Sequence, residues 1–217
     1  MPLLSEIEFG ALAQYSPRGT DSRSVTSKSI CLAAKRDGFL LLGGQSVRII
    51  DRLVSRLREK IAGSDMEDFF ADGPMLVPAP RSSPVKAGSL YPTKLICEEL
   101  LRQGFGSDCC LLLRRAYAVE KAATAAPGDR PTAKDHYDSL RVEKELLSSG
   151  SILVVDDVIT TGSMTIASVS RLKEAYPRAR LRAFGLFRTI SSGEIDRIYE
   201  PCAGTITLRH GRCTRTP

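Results

Sequence analysis

SILVVDDVITTGS, residues 151–163, is the stretch of this chain that decides its fold. The run 152–155 is entirely aliphatic, which is typical of a central strand in a parallel sheet that is covered on both faces. Asp156 and Asp157 follow directly, at the end of the strand where open α/β sheets bind ligands. Small and hydroxyl-bearing residues occupy 160–163, and a helical pattern begins after them. The stretch therefore predicts a strand, a loop and a helix whose first N–H groups are open to an anion.

Two adjacent carboxylates beside an anion-binding loop favour a ligand that carries both hydroxyl groups and a phosphate. Asp156 and Asp157 can accept hydrogen bonds from a sugar diol, while residues 160–163 hold a phosphate. A ribose 5-phosphate has both groups. The alternative is an ordinary buried strand with a polar turn, and it is disfavoured because adjacent aspartates at the end of an apolar strand are costly to desolvate.

The segment resembles the motif with which type I phosphoribosyltransferases bind phosphoribosyl pyrophosphate (PRPP): an aliphatic strand, two acidic residues, two aliphatic residues and Thr-Thr-Gly. The resemblance implies that Asp156 and Asp157 are catalytic. It also implies that the following residues bind PRPP: Thr160, Thr161, Gly162, Ser163 and Thr165. The chain departs from the family pattern at Met164, where a small hydroxyl residue is usual. Backbone N–H groups and Ser163 can still hold the phosphate.

The composition of the whole chain is that of a soluble globular protein. Its 217 residues suffice for one domain, or for a core with a small lobe, and 42% of them are hydrophobic. No apolar run approaches the roughly 18 residues that span a membrane, and no signal-peptide pattern is visible. The six cysteines form no C-x-x-C pair and the two histidines lie far apart, which disfavours a zinc site. We therefore expect a cytoplasmic protein without a membrane partner.

The net charge of +6 is compatible with two kinds of ligand. An enzyme that handles a polyphosphate needs Lys and Arg around its site, and a nucleic-acid binder needs a basic surface. The basic residues are spread along the chain without a long block, and the chain has no Trp to stack on bases. A mildly basic surface without a role in binding is an equally good interpretation of the charge alone.

Alternating apolar patterns predict an α/β fold along the rest of the chain. Strands are predicted at 75–78, 109–113, 152–155 and 181–187, helices at 25–35, 47–61, 91–101 and 164–176, and a long loop at 118–137. Residues 1–24 are weakly patterned. Strands that alternate with helices form a parallel sheet with right-handed crossovers. The resemblance implies a sheet of about five strands flanked by helices, with an N-terminal helical lobe or hood (1–70), a phosphoribosyltransferase core (71–200) and a tail (201–217) that packs on or near the core.

Two further loops follow predicted strands, so we expect them beside the Asp pair. The segment 77–80, Val-Pro-Ala-Pro, resembles a sequence of the ComF-like branch of the family, and its place implies that Arg81 and Ser82 bind the pyrophosphate. The loop 118–137 has the place of the catalytic loop, which implies that Lys121 and Arg130 neutralise the leaving group. A proline-rich turn and a solvated surface loop are the alternatives. Residues 33–37 resemble the Leu-Lys-Tyr region of ComF-like proteins, and the lone His136 is better explained by a structural role.

The resemblance implies an enzyme of nucleotide metabolism, a transferase that moves ribose 5-phosphate from PRPP to a nitrogen nucleophile and releases pyrophosphate. Magnesium would arrive bound to PRPP, with no metal ligand from the chain. Two alternatives stay open. One is a non-catalytic regulator that binds PRPP or a nucleotide, which Met164 favours. The other is a ComF-like accessory protein for single-stranded nucleic acid, favoured by the pI near 9.1 and by Arg209, Arg212 and Arg215. A homodimer is also left open.

Overall fold

The computed structural model describes residues 3–86, 88–120, 130–147, 150–190 and 193–217. The strands are β1 (Glu6–Tyr15), β2 (Phe39–Leu42), β3 (Gln45–Arg48), β4 (Met75–Pro78), β5 (Asp108–Cys109), β6 (Leu113–Arg115), β7 (Leu140–Val142), β8 (Ser151–Ile159), β9 (Arg180–Thr189), β10 (Tyr199–Arg209) and β11 (Arg212–Thr216). The helices are α1 (Ser22–Lys35), α2 (Ile49–Ile61), α3 (Asp68–Ala71), α4 (Pro92–Arg102), α5 (Ala133–Ser139) and α6 (Ser163–Ala175).

A seven-stranded sheet in the order β11-β10-β1-β9-β8-β4-β5 forms the centre of the fold. Five neighbouring strands are parallel to one another: β1, β9, β8, β4 and β5. Strand β10 pairs antiparallel with β1, and β11 pairs antiparallel with β10. Two small antiparallel pairs, β2 with β3 and β6 with β7, lie outside it. The predicted α/β fold with a parallel sheet and flanking helices is confirmed, and the two antiparallel strands are an addition to it.

Strand β8 is buried on both faces, as its aliphatic run predicts. Leu153 and Val155 pack on one face with residues of α1, α2 and α4, whereas Ile152 and Val154 pack on the other face with residues of α6. All four side chains are fully buried. Each contributes about 1.5–3 kcal/mol relative to an exposed position. This burial fixes β8, and with it the positions of the two carboxylates that follow Val155.

Strand β1 is the main difference from the sequence-based expectation. The segment 1–70 does supply α1, α2 and α3, but β1 lies inside the sheet, with Phe9 paired to Ala183 of β9 and Gly204 of β10. A purely helical N-terminal lobe is therefore wrong. The strand signal was weak because β1 contains small residues where packing is tight: a Cβ on Gly10 would lie 2.4 Å from Sδ of Met66. A close approach of this kind leaves no β-branched pattern in the sequence.

Two other segments differ from the prediction. The strand predicted at 109–113 pairs with β4 only over β5, and the chain then leaves the main sheet. Within the predicted loop 118–137, residues 121–129 lie outside the described part, and its end forms α5, which was missed because seven residues show little periodicity. Thr132 caps α5 by accepting a hydrogen bond from the N–H of Asp135, and Asp135 bonds back to the N–H of Thr132 at 2.8 Å.

The C-terminal tail is part of the sheet. The predicted boundary at residue 200 falls inside β10, and β11 forms the sheet edge by pairing with it. None of the helices in the described ranges is long and apolar enough to cross a membrane.

Candidate functional site

Asp156 and Asp157 lie inside β8 rather than after its end. The strand continues to Ile159 because its pairing with β9 continues, with Val158 opposite Phe187 and Ile159 opposite Arg188. On its other side β4 ends sooner, where Pro78 pairs with Val155. Beyond Val155, β8 therefore has a strand neighbour on one side only. Both aspartates are half-buried there.

The two carboxylates form a tightly coupled pair. The backbone N–H of Asp157 donates to Oδ1 of Asp156 at 2.8 Å. Burial raises the pKa of Asp156, and the charge of Asp157 raises it further. The ammonium group of Lys35 acts in the opposite direction on the pKa of Asp156. A carboxyl group whose pKa is raised by burial and by a neighbouring charge is common at functional sites.

Lys35 is a site residue that the sequence analysis did not assign. Its Nζ lies 3.7 Å from Oδ2 of Asp157. Burial has the largest single effect on the pKa of Lys35 and lowers it, but the charge of Asp157, together with smaller contributions that include Asp156, makes the net shift upward. Lys35 is the last residue of α1, and only the packing of α1 on the sheet brings it to Asp157. The one signal in the sequence was the resemblance at residues 33–37, which carried no role for the lysine.

The loop after β8 leaves the N-terminus of α6 open. Gly162 is the N-cap residue, with φ of 90° and no side-chain hydrogen bond to the first turn. Thr160 and Thr161 are exposed, and Oγ1 of Thr161 lies 3.2 Å from Oγ of Ser163. Backbone N–H groups and hydroxyls therefore surround a space where the helix dipole favours negative charge. Thr165 lies in the first turn of α6 but is only 2% exposed.

Glycine is required at position 162 for two reasons. A positive φ is unfavourable for other residues. In addition, a Cβ at this position would lie 2.6 Å from Cγ2 of Ile206 on β10. Gly162 therefore packs closely against the side chain of Ile206 on β10.

Met164 takes part in a buried contact rather than facing the loop alone. Its Sδ accepts a hydrogen bond from Nη2 of Arg115 at 2.9 Å. Nε of Arg115 donates to the carbonyl oxygen of Arg81 at 2.9 Å, and Nη1 donates to the hydroxyl of Ser139. Burial lowers the pKa of Arg115 to about 10. Arg115 therefore joins the loop after β4, helix α5 and the start of α6.

His136 belongs to the same cluster. Its Nδ1 lies 3.2 Å from Nη2 of Arg115, and only 7% of the residue is exposed. Burial lowers the pKa of His136 to about 4, and the charge of Arg115 contributes to the lowering. The imidazole is neutral near pH 7, and among the described residues no contact joins it to the Asp pair. These contacts support the structural role expected for it.

The remaining predicted site residues are Arg81, Ser82, Arg130 and Lys121. Arg81 and Ser82 follow β4, beside the carboxyl end of β8. Nη1 of Arg81 donates to the carbonyl oxygen of Leu90 at 2.8 Å, and the carbonyl oxygen of Ser82 accepts from the N–H of Val119 at 2.7 Å. Arg130 is exposed, and no contact within the described ranges joins it to Asp156 or Asp157. Lys121 lies outside the described residues.

A metal site built from side chains is not found in the part of the chain that the structure describes. No group of three or more His, Cys, Asp and Glu residues there could hold a metal ion.

Comparison with known proteins adds little to this geometry. No family model matches the chain, and no curated protein matches it. Among solved structures, adenine phosphoribosyltransferase from Leishmania donovani is similar at 13% identity, over 90% of this chain and 84% of that one, with a TM-score of 0.31. A likeness of this size carries no argument about the site.

Proposed function

We propose that the protein is a phosphoribosyltransferase that transfers ribose 5-phosphate from PRPP to a nitrogen nucleophile and releases pyrophosphate. The observation that carries the proposal is the Asp156–Asp157 pair, half-buried beyond the end of β4 and followed by the uncapped N-terminus of α6. A carboxylate pair can accept hydrogen bonds from the 2- and 3-hydroxyls of a ribose. The loop 160–163 offers donors for its 5-phosphate.

The difficult step in this reaction is the loss of pyrophosphate from C1 of the ribose. Positive charge develops on the sugar ring as the bond breaks, and Asp156 and Asp157 would stabilise it. Lys35 would favour the ionised form of Asp156, whose pKa burial and the charge of Asp157 raise to about 8. Because Lys35 lies next to Asp157, its charge is balanced and does not oppose the developing cation.

Release of pyrophosphate requires positive charge on the opposite side of C1. Magnesium, bound to PRPP as part of the substrate, would supply most of it. Arg81 and Ser82 are the proposed pyrophosphate ligands in the loop after β4, and Lys121 and Arg130 are the proposed residues of a loop that closes over the leaving group. Arg81 would have to exchange its bond with the carbonyl oxygen of Leu90 for the ligand.

The test is calorimetric titration of magnesium PRPP into the wild-type protein and into Asp157→Asn. The substitution keeps the size of the side chain and removes the charge, so PRPP affinity should fall at least about tenfold. Asp65→Asn is the matched control, because Asp65 is an exposed aspartate on a loop. Equal affinity in Asp157→Asn and Asp65→Asn would refute the proposed site.

A second assay separates catalysis from binding. Release of pyrophosphate would be measured against a panel of nucleobases and small amines. PRPP binding without pyrophosphate release would favour the non-catalytic regulator, in which the Met164–Arg115 contact replaces a hydroxyl of the phosphate loop. The nucleic-acid alternative has less support, because the side chain of Arg215 is turned into the fold.

A further inference from the structure

Besides Nε of Arg56 and Nε of Arg182, buried nitrogen atoms of two arginines on β9 and β11 have no hydrogen-bond partner in the described chain. These atoms are Nε of Arg188 and both Nε and Nη1 of Arg215. The side chain of Arg188 is only 10% exposed, and its Nη2 donates to Oε2 of Glu200 at 3.3 Å. Nη2 of Arg215 donates to the carbonyl oxygen of Thr189. Buried N–H groups without an acceptor are rare, because each has given up its hydrogen bonds with water.

The two guanidinium groups are faced by one carboxylate and by the ring of Phe9, whose centroid lies 5.4 Å from Cζ of Arg215. Burial lowers the pKa of Arg215, and the nearby charge of Arg188 lowers it further. Glu200 is the one carboxylate found paired with either arginine within the described ranges. Two cations and one carboxylate in a region with little water favour the binding of an anion.

Each arginine is the strand neighbour of a residue that adjoins the loop 160–163. Arg188 pairs with Ile159, the last residue of β8 before the loop. Arg215 lies opposite Ile206 in the register of β10 and β11, and Ile206 is the residue on which Gly162 is seated. The two arginines belong to β9 and β11, two elements that the sequence motif does not include.

We propose that Arg188 and Arg215 form a cationic wall of the phosphate site and stabilise the same phosphate group that binds to the loop 160–163. The wall supplies charge where Met164 replaces the usual hydroxyl residue, and it gives the β10–β11 hairpin a part in ligand binding. The choice of ribose 5-phosphate as the natural ligand rests on the proposed function. The phosphate chemistry itself rests on the arginines and the loop.

The experiment measures the binding of inorganic phosphate and ribose 5-phosphate by calorimetry and by phosphorus NMR. Arg215→Gln removes the charge but keeps a donor for Thr189, and it should weaken both ligands about tenfold. Arg215→Lys keeps the charge and should lose no more than about threefold. Arg212→Gln is the matched control, since it removes an exposed arginine from the same strand and should stay within about twofold.

A double-mutant cycle tests whether the arginine and the loop act on one phosphate. Thr161→Ala removes a hydroxyl of the loop, and its effect should not add to that of Arg215→Gln, because both residues act on the same group. Thermal unfolding checks folding: Arg215→Gln should melt no lower than the wild type, since it removes an unpaired buried charge. If Arg215→Gln fails to fold, the cycle is run with Arg188→Gln and Thr161→Ala.

The outcomes separate this inference from the proposed function. Phosphate binding that depends on Arg215, together with no binding of PRPP, keeps the wall and refutes the phosphoribosyltransferase. PRPP binding that is equal in Arg215→Gln and Arg212→Gln refutes the wall and keeps the phosphoribosyltransferase. Additive effects in the cycle, or no phosphate binding to the wild type, also refute the wall.

Discussion

Replacing Lys35 by Met should raise the pKa of Asp156, because the ammonium group favours the ionised form of the carboxylate pair. At the 3.7 Å that separates Nζ of Lys35 from Oδ2 of Asp157, the Coulomb energy is about 1 kcal/mol in the dielectric of water and about 4 kcal/mol at an effective dielectric constant of 20. The side chain of Lys35 is 40% exposed and that of Asp157 is 23% exposed. Solvent screening therefore places the interaction near the lower end, at about 1–2 kcal/mol.

An interaction of about 1–2 kcal/mol corresponds to about 0.7–1.4 units of pKa, since 1 unit equals about 1.4 kcal/mol. Because it is worked for the contact between Lys35 and Asp157, it is the upper bound for the rise in the pKa of the neighbouring Asp156. The direct assay is a carbon NMR titration of the Asp156 carboxyl group in the wild type, Lys35→Met and Lys35→Arg. Lys35→Arg should keep the midpoint. Arg23→Met is the matched control, because Arg23 is an exposed cation on the same helix.

The shift has a consequence for ligand binding. If the ionised pair accepts hydrogen bonds from the ribose hydroxyls, PRPP affinity falls as the pH drops through the pKa of Asp156, and in Lys35→Met the fall begins at a higher pH. An unchanged Asp156 midpoint in Lys35→Met would refute the electrostatic role of Lys35. A shifted midpoint with an unchanged pH dependence of PRPP binding would refute the role of the pair in binding the diol.

Three further predictions concern stability and the loop. Asp156→Asn should raise the free energy of unfolding by about 1–3 kcal/mol above pH 8, because the pKa of Asp156 is raised from 3.8 to about 8 in the folded protein. Urea titrations should show that this gain falls as the pH drops from 8 and is lost below pH 3.8. His136, with its pKa lowered from 6.5 to about 4, should cost the wild type up to about 3 kcal/mol as the pH falls from 6.5 to 4; a His136→Asn variant that loses as much would contradict this. Gly162→Ala should cost about 1–3 kcal/mol and abolish phosphate binding, whereas Gly150→Ala, a glycine with no atom within 4 Å of an added Cβ, should do neither; calorimetry of both variants decides.

The local features of the site could be predicted from the sequence because they depend on neighbours in the chain. The aliphatic run 152–155 predicts a buried strand, and Thr160, Thr161 and Gly162 predict the turn into α6, since the chemistry of a strand, a turn and a helix start is read within a few residues. The order of helices and strands around them follows from periodicity in the same way. The fold class and the order of the two carboxylates, the loop 160–163 and α6 along the chain were therefore accessible, whereas the continuation of β8 past both aspartates depends on its pairing with β9.

Only the tertiary structure decided which distant residues meet this segment. Lys35 reaches Asp157 from α1, Arg115 reaches Met164 from β6, and Arg215 lies near Gly162 through β10 and β11. These residues are 49 or more positions apart in the chain. A sequence pattern covers only neighbouring residues and therefore does not predict which distant ones meet. The central place of β1 was hidden for a related reason: the close packing that puts a strand there selects small residues, which carry little strand signal. Local propensity determined the elements, and packing of the sheet faces determined which charges surround the site.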